Sequence, residues 1–301
     1  MPECMEIYIE TSDFKKLDIE QLGTKEKFWL VSPKGVNWLF KFSRPGTGEH
    51  WSEVCAALIA NKLGIAHAEY YFSRWEGKIG VVTPSFVEKN EYLVMGNEIL
   101  KDYDPYYPSS SSEEKAPKAY TPKEVFDCLK KFQALEPFQW KGESPTNIFF
   151  DYLFLDALVG NVDRHHENWG IVVNSLDKTK SLAVTFDHAS SLGRELTEKR
   201  KKDRLETKDK NYSVLAYSKK AKTPFYESTI GRRLDAVEVL FSFLELDPSL
   251  KQRLEALIRI CEQQKISQII SSIPSIWMAD LDKTFAKKLI EVNLERIKQN
   301  A

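Results

Sequence analysis

The chain is decided by Leu158-Val-Gly-Asn-Val-Asp-Arg-His-His-Glu-Asn-Trp-Gly-Ile171, followed by Thr185-Phe-Asp-His-Ala-Ser190. Together they set Asp163, Asn168 and Asp187 in a D-x4-N…D pattern. An Asp can orient and deprotonate an attacking hydroxyl, an Asn five residues on can turn back to a divalent cation, and a second Asp on a following strand completes the metal site. Carboxylate plus amide is the hard-oxygen chemistry that Mg²⁺ takes while phosphates fill the rest of its shell. The same residues are also those of ordinary tight turns, since Asn and Asp bond their own backbone. The rest of the chain has to decide between the two.

Leu22 to Val31 reads as a Gly-containing turn feeding a strand, and Trp38-Leu-Phe-Lys-Phe42 as a second strand. Lys41 interrupts that apolar strand, which is costly unless its ammonium is paired. Glu53 is available on Gly48 to Gly64, a segment with apolar Val54, Ala57, Leu58 and Leu63 at helical spacing and Gly64 as C-cap. The competing reading is a snorkelling Lys on an edge strand. Ala66–Ser73 and Lys78–Val87 form a hairpin about Glu76-Gly77, and its second strand runs into Ser85, Phe86 and Val87.

A strand Lys paired with a helix Glu, followed by a D-x4-N loop and a further Asp, is the order of parts in protein kinases. More narrowly, Gly23-Thr-Lys-Glu-Lys27, Phe40-Lys41, Glu53, Asn161 to Asn168 and Phe186-Asp187 resemble, in order and spacing, the HipA-like kinases over roughly residues 20–300. The resemblance implies an α+β, two-lobed kinase fold with a small β-rich N-lobe (residues 1–100), a flexible loop (101–120) and a mainly helical C-lobe (121–301). It implies a bacterial Ser/Thr protein kinase using ATP and Mg²⁺. Asp163 would be the catalytic base, and Asn168 and Asp187 the metal ligands. Gly23, Thr24, Lys25, Lys27, Lys41, Glu53, Ser85, Phe86 and Val87 would form the nucleotide site, the last three as the adenine-binding hinge. Members include toxins of toxin–antitoxin pairs, so a protein substrate and a small antitoxin or regulatory partner are implied. The Gly loop holds one Gly where eukaryotic kinases have three, and it starts near residue 22, so a short type lacking the N-terminal subdomain of the longer toxins is expected. An Asp-Arg-His-x-x-Asn loop also occurs in phosphoinositide kinases, which makes a lipid kinase the nearest alternative. A catalytically inactive nucleotide-binding module and a metallohydrolase built on His165, His166 and His188 are the others.

The 301 residues suit two subdomains around one cleft, with 42% hydrophobic and 29% charged residues and a net charge of −1. That balance favours neither direct nucleic-acid nor membrane binding. No apolar run approaches the ~20 residues of a membrane span, and the acidic N-terminus lacks a signal-peptide core. Cys4, Cys55, Cys128 and Cys261 are scattered, as reduced thiols are. A cytoplasmic enzyme is expected, with export as an effector left open.

Residues 101–120, with three Pro and the run Ser109 to Ser112, read as a loop. Thr121-Pro-Lys-Glu124 caps a helix. Asn147 to Val159 is an apolar helix that delivers the chain to Gly160, and Trp169–Val173 with Leu182–Phe186 form a hairpin that ends at Asp187. Residues 194–222 carry eleven Lys and Arg with five interspersed acids, read as a solvated charged segment in the place of an activation loop. Helices are expected near 234–245, 248–261 and 280–298, the second capped by Asp247 with Pro248 at its first position.

Overall fold

The computed structural model describes residues 7–17, 26–108, 116–135 and 143–301. Strands β1 (Lys15–Lys16), β2 (Lys27–Val31), β3 (Asn37–Phe42), β4 (Tyr71–Trp75) and β5 (Lys78–Pro84) form an antiparallel sheet in the order β1-β2-β3-β5-β4, and helix α1 (Glu49–Leu63) lies between β3 and β4 in the chain. Side chains alternate across a strand, so neighbouring residues of β3 serve opposite faces. Phe40 joins Phe28, Leu30 and Val82 in a small outer cluster, its ring 5.3 Å from that of Phe28. Lys41 points the other way, toward α1. Gly64 closes α1 in the left-handed region at φ 71°, as its C-cap position requires. The β4–β5 hairpin turns at Glu76-Gly77, both at positive φ, where the sequence places it.

The larger part continues with β6 (Glu91–Met95), α2 (Gly96–Tyr103), α3 (Pro122–Leu135), α4 (Pro145–Val159), β7 (Gly170–Asn174), β8 (Lys180–Leu182), α5 (Glu198–Glu206), α6 (Val214–Lys220), β9 (Lys222–Tyr226), β10 (Arg233–Asp235), α7 (Ala236–Leu246), α8 (Lys251–Gln263) and α9 (Asp280–Asn300). Its axis is α4. Every residue of that helix except Asn147 is buried, which explains a sequence apolar on all sides. Ser144 caps it by accepting from the Asn147 amide, and Gly160, at φ 68°, turns the chain out of it. The two acids of α4 are each matched by an arginine: Asp151 by Arg253 and Asp156 by Arg164.

Four local expectations change. Residues 91–103 are not the end of a lobe followed by a loop from 101. β6 pairs residue by residue with β7, and α2 runs on to Tyr103. That pairing joins segments about 80 residues apart, which no local pattern announces. The described ends of the expected loop are also anchored, because Ala116, Tyr120 and Tyr107 are buried and Lys101 donates to the Pro105 and Tyr107 carbonyls. Ser109 to Ser112 lie outside the described residues.

The second strand of the 169–186 hairpin stops at Leu182, short of Asp187. Thr185 instead makes an isolated parallel bridge with His67. Residues 194–222 are not a uniformly solvated segment. They fold into α5, α6 and the start of β9, and Lys201 is buried against Asp282 of α9 at 2.5 Å. The expected helix near 248–261 begins as a short 3-10 turn, Pro248–Leu250, with the Asp247 carboxylate accepting from the Ser249 amide. Among the described residues no helix is long and apolar enough to cross a membrane.

Candidate active site

Lys41 and Glu53 meet because α1 packs against β4 and β5 on the face of the sheet to which Lys41 points. The Lys41 Nζ lies 3.3 Å from Glu53 Oε1, 3.1 Å from the Tyr70 hydroxyl and 3.8 Å from Asp187 Oδ1. This ammonium does not snorkel: only a tenth of its side chain is exposed. Burial pulls its pKa down, but Asp187, Tyr70 and Glu53 outweigh burial and leave it well above the ordinary lysine value. Lys27 sits opposite Lys41 in the β2–β3 register, hence on the same face.

The other carboxylate oxygen of Glu53 accepts from the His188 amide at 2.8 Å, and the Tyr70 hydroxyl accepts from the Asp187 amide at 3.3 Å. Ser52, one residue before Glu53, donates to the Ser191 carbonyl at 2.9 Å. One helix therefore holds both the lysine and the segment that carries Asp187. Asp187 itself is a non-glycine residue at φ 58°, a strained backbone state that persists only where its surroundings fix it.

Asp163 and Asn168 share a loop closed by its own polar groups. Asn161, fully buried, donates to Asp156 and accepts from the Asp163 amide at 3.1 Å. Asn168 Nδ2 donates to the Asp163 carbonyl at 2.7 Å. With its nitrogen turned inward, the Asn168 side chain is left with a carbonyl oxygen as its donor to a cation.

Arg164 joins this loop to the Asp187 strand. It lies 1% exposed between Asp156 (2.7 and 2.9 Å) and Thr185 (2.8 Å), and it donates to the backbone carbonyls of Asn168 (2.5 Å) and Phe186 (3.2 Å). Its Nη2 also lies 2.9 Å from His188 Nε2. Arginine can only donate, so that Nε2 accepts and the imidazole is neutral. Burial, with Arg164 beside it, holds the His188 pKa down at about 3. His166 is likewise neutral, buried, bonded to the Tyr107 hydroxyl at 2.9 Å and held at about 4. These histidines are structural parts of two separate networks. Among the described residues no group of three His, Cys, Asp or Glu gathers as metal ligands.

In the lobe connection, the Ser85 amide donates to the Asn37 carbonyl at 2.8 Å, and the Ser85 hydroxyl bridges the Val87 amide and carbonyl. The Phe86 ring stacks on Phe186 at 5.6 Å, tying this segment to the residue before Asp187. Gly23, Thr24 and Lys25 lie outside the described residues.

The structure thus brings Lys41, Glu53 and Asp187 into one cluster and ties Asp163 and Asn168 to it through Arg164. Sequence reasoning missed Tyr70 and Asp156, and it quoted Asn161 and Arg164 within the loop motif without giving either a role. One signal was available: an Asp inside an apolar helix must find a cation, and Arg164 is eight positions on from Asp156.

No family model matches the chain. The serine/threonine-protein kinase CtkA of Helicobacter pylori is 25% identical over 254 residues, covering 82% of this chain and 70% of its own length. The crystal structure of the H. pylori proinflammatory kinase CtkA superposes with a TM-score of 0.75 at 21% identity, over 97% of this chain and 96% of the other. HipA of Shewanella oneidensis MR-1, solved with HipB and operator DNA, superposes at 0.57 with 14% identity, over 93% of this chain and 65% of its own. The sequence relative and both superpositions agree with the motif order read from the chain, and they support its likeness to the HipA-like kinases.

Proposed function

We propose that the protein transfers the γ-phosphoryl group of ATP, with Mg²⁺, to a Ser or Thr hydroxyl of a protein acceptor. The observation that carries this reading is the Lys41 ammonium, buried among Glu53, Tyr70 and Asp187, with the Asp163–Asn168 loop bound to the same strand through Arg164.

The donor set fits Mg²⁺. Asn168 and Asp187 offer hard oxygens, and with two protein ligands the rest of the shell falls to phosphate and water, as this ion prefers. Bound there, the ion would neutralise charge on the β- and γ-phosphates. Lys41, held by Glu53 and Tyr70, donates to the phosphates, and Lys27 stands beside it. Ser85 to Val87 receive the adenine. Asp163 accepts the proton of the acceptor hydroxyl as its oxygen bonds to the γ-phosphorus. The bond from that phosphorus to the β,γ-bridging oxygen breaks, and ADP leaves. Most of the rate comes from positioning and charge, so loss of a single participating group costs orders of magnitude.

The test is transfer of label from [γ-³²P]ATP in the presence of Mg²⁺, to the protein itself and to added protein acceptors, for wild type, K41M, D163A and D187A. Label on Ser or Thr from wild type alone supports the reading. Label on inositol lipids instead would replace it with the lipid-kinase alternative, and ATP binding without transfer would replace it with the inactive module. The partner class this reading carries is a small antitoxin-like regulatory protein, tested by co-purification with the product of the adjacent gene.

A further inference from the structure

Asp163 is held from a direction that its own loop does not explain. Its Oδ2 accepts from the Ser190 hydroxyl at 3.3 Å. The Ser190 Oγ accepts in turn from Arg194 Nη2 at 3.1 Å, and Arg194 Nη1 donates to Glu49 Oε1 at 2.9 Å. Glu49 is 3% exposed and lies in the first turn of α1. Ser190 is 7% exposed, and the Arg194 side chain 15%. The three residues are therefore an interior chain of charge-assisted bonds rather than a surface ion pair, and such bonds fix geometry strongly.

The start of this chain matters. Glu49, Ser52 and Glu53 are spaced so that they share one face of α1. Glu53 holds Lys41, Ser52 binds the Ser191 carbonyl, and Glu49 reaches the carboxylate of Asp163 through Arg194 and Ser190. The backbone supports the same docking: the Val162 amide donates to the Ser190 carbonyl, and the Gly48 amide to the Arg194 carbonyl. A shift of α1 by one side-chain width would release the lysine and the base together.

We propose that Glu49, Arg194 and Ser190 are positioning residues that couple the seating of α1 to the orientation of the Asp163 carboxylate. One helix then assembles the phosphate-binding lysine and the acceptor-side base. The proposal rests on the kinase reading above. In the ground state the Ser190 hydroxyl makes to Asp163 the bond that an acceptor hydroxyl makes during transfer. It holds one carboxylate oxygen and so presents the other in a fixed direction.

The experiment is single-turnover autophosphorylation at saturating ATP and Mg²⁺, with nucleotide affinity measured separately by calorimetry, for wild type, S190A, S190T, R194A, R194K and the S190A/R194A double variant. The relay predicts that S190A slows transfer about tenfold or more while nucleotide affinity stays within about twofold, as loss of one oriented bond to a charged group does. S190T, which keeps the hydroxyl, recovers most of the rate. R194A matches S190A, R194K falls between R194A and wild type, and the double variant is no slower than the worse single one, because residues in one chain are not additive. A Ser190 that merely packs would be indifferent to its hydroxyl. S190A within about twofold of wild type, S190T as slow as S190A, or additive losses would overturn the relay while leaving the kinase reading intact. If S190A does not fold, R194A and R194K decide by the same criteria. A wild type that binds ATP and transfers nothing would remove both.

Discussion

Replacing Arg164 by Met tests the central joint of the molecule. The guanidinium and the Asp156 carboxylate are 1% and 4% exposed, with bonds of 2.7 and 2.9 Å between them. Removing the cation strands a carboxylate inside α4, which costs about 3–5 kcal/mol. The carbonyls of Asn168 and Phe186 and the Thr185 hydroxyl lose a donor as well, at roughly 1 kcal/mol each before relaxation. These terms add to about 6–8 kcal/mol before relaxation, and with relaxation R164M should lose about 4–6 kcal/mol, a large share of a typical domain stability of ~5–15 kcal/mol. D156N strands the opposite charge. In R164M/D156N neither charge remains, so the double variant should recover about 2–4 kcal/mol relative to the sum of the single ones. The assay is urea unfolding followed by far-UV circular dichroism and tryptophan fluorescence, with coincident transitions required. Recovered stability should not recover activity, since the Asn168 and Phe186 carbonyls would still lack their common donor. The double variant is expected to transfer phosphate at least ~100-fold more slowly than wild type. A loss under about 1 kcal/mol in R164M, strict additivity in the double variant, or an active double variant would each refute the assignment of Arg164 as this joint.

Acid should destabilise the fold through His166 and His188. Both have folded pKa values, about 4 and about 3, below the ordinary 6.5. The unfolded chain therefore takes up protons first, and the stability present above pH 6.5 is lost as pH falls toward those values. Between pH 7 and 5 this amounts to roughly 2 kcal/mol per histidine, and urea midpoints of wild type and H166Q across that range should show the slope reduced in the variant. Y70F removes the hydroxyl that joins Lys41 to the Asp187 amide. Autophosphorylation should slow about tenfold, with the folded protein retained by circular dichroism. G193A combines φ +70° with a new Cβ that would stand 2.5 Å from Phe285 Cε1. A loss of about 2–4 kcal/mol is expected in urea unfolding.

The sequence by itself determined the parts whose chemistry is local. The D-x4-N spacing, the isolated Lys41 in an aromatic strand, the capped α1 with Glu53 in its second turn and the all-apolar α4 each follow from periodicity, capping or the cost of burying charge. Those signals were enough to order the two lobes. Tertiary structure alone decided the long-range pairings. β6 becomes a strand only because β7 lies beside it, although about 80 residues separate them. Lys201, one of eleven cations in a charged stretch, is buried because Asp282 on α9 comes to meet it. Tyr70, Ser190 and Arg194 carry no motif, and the loop motif that contains Arg164 does not tell what Arg164 bonds to. Each is an ordinary residue type whose importance is a position: polar atoms buried where α1, the Asp163 loop and the Asp187 segment converge, and where every donor and acceptor must find a partner. A local pattern tells which groups need a partner, and only the folded chain shows which partner each one has found.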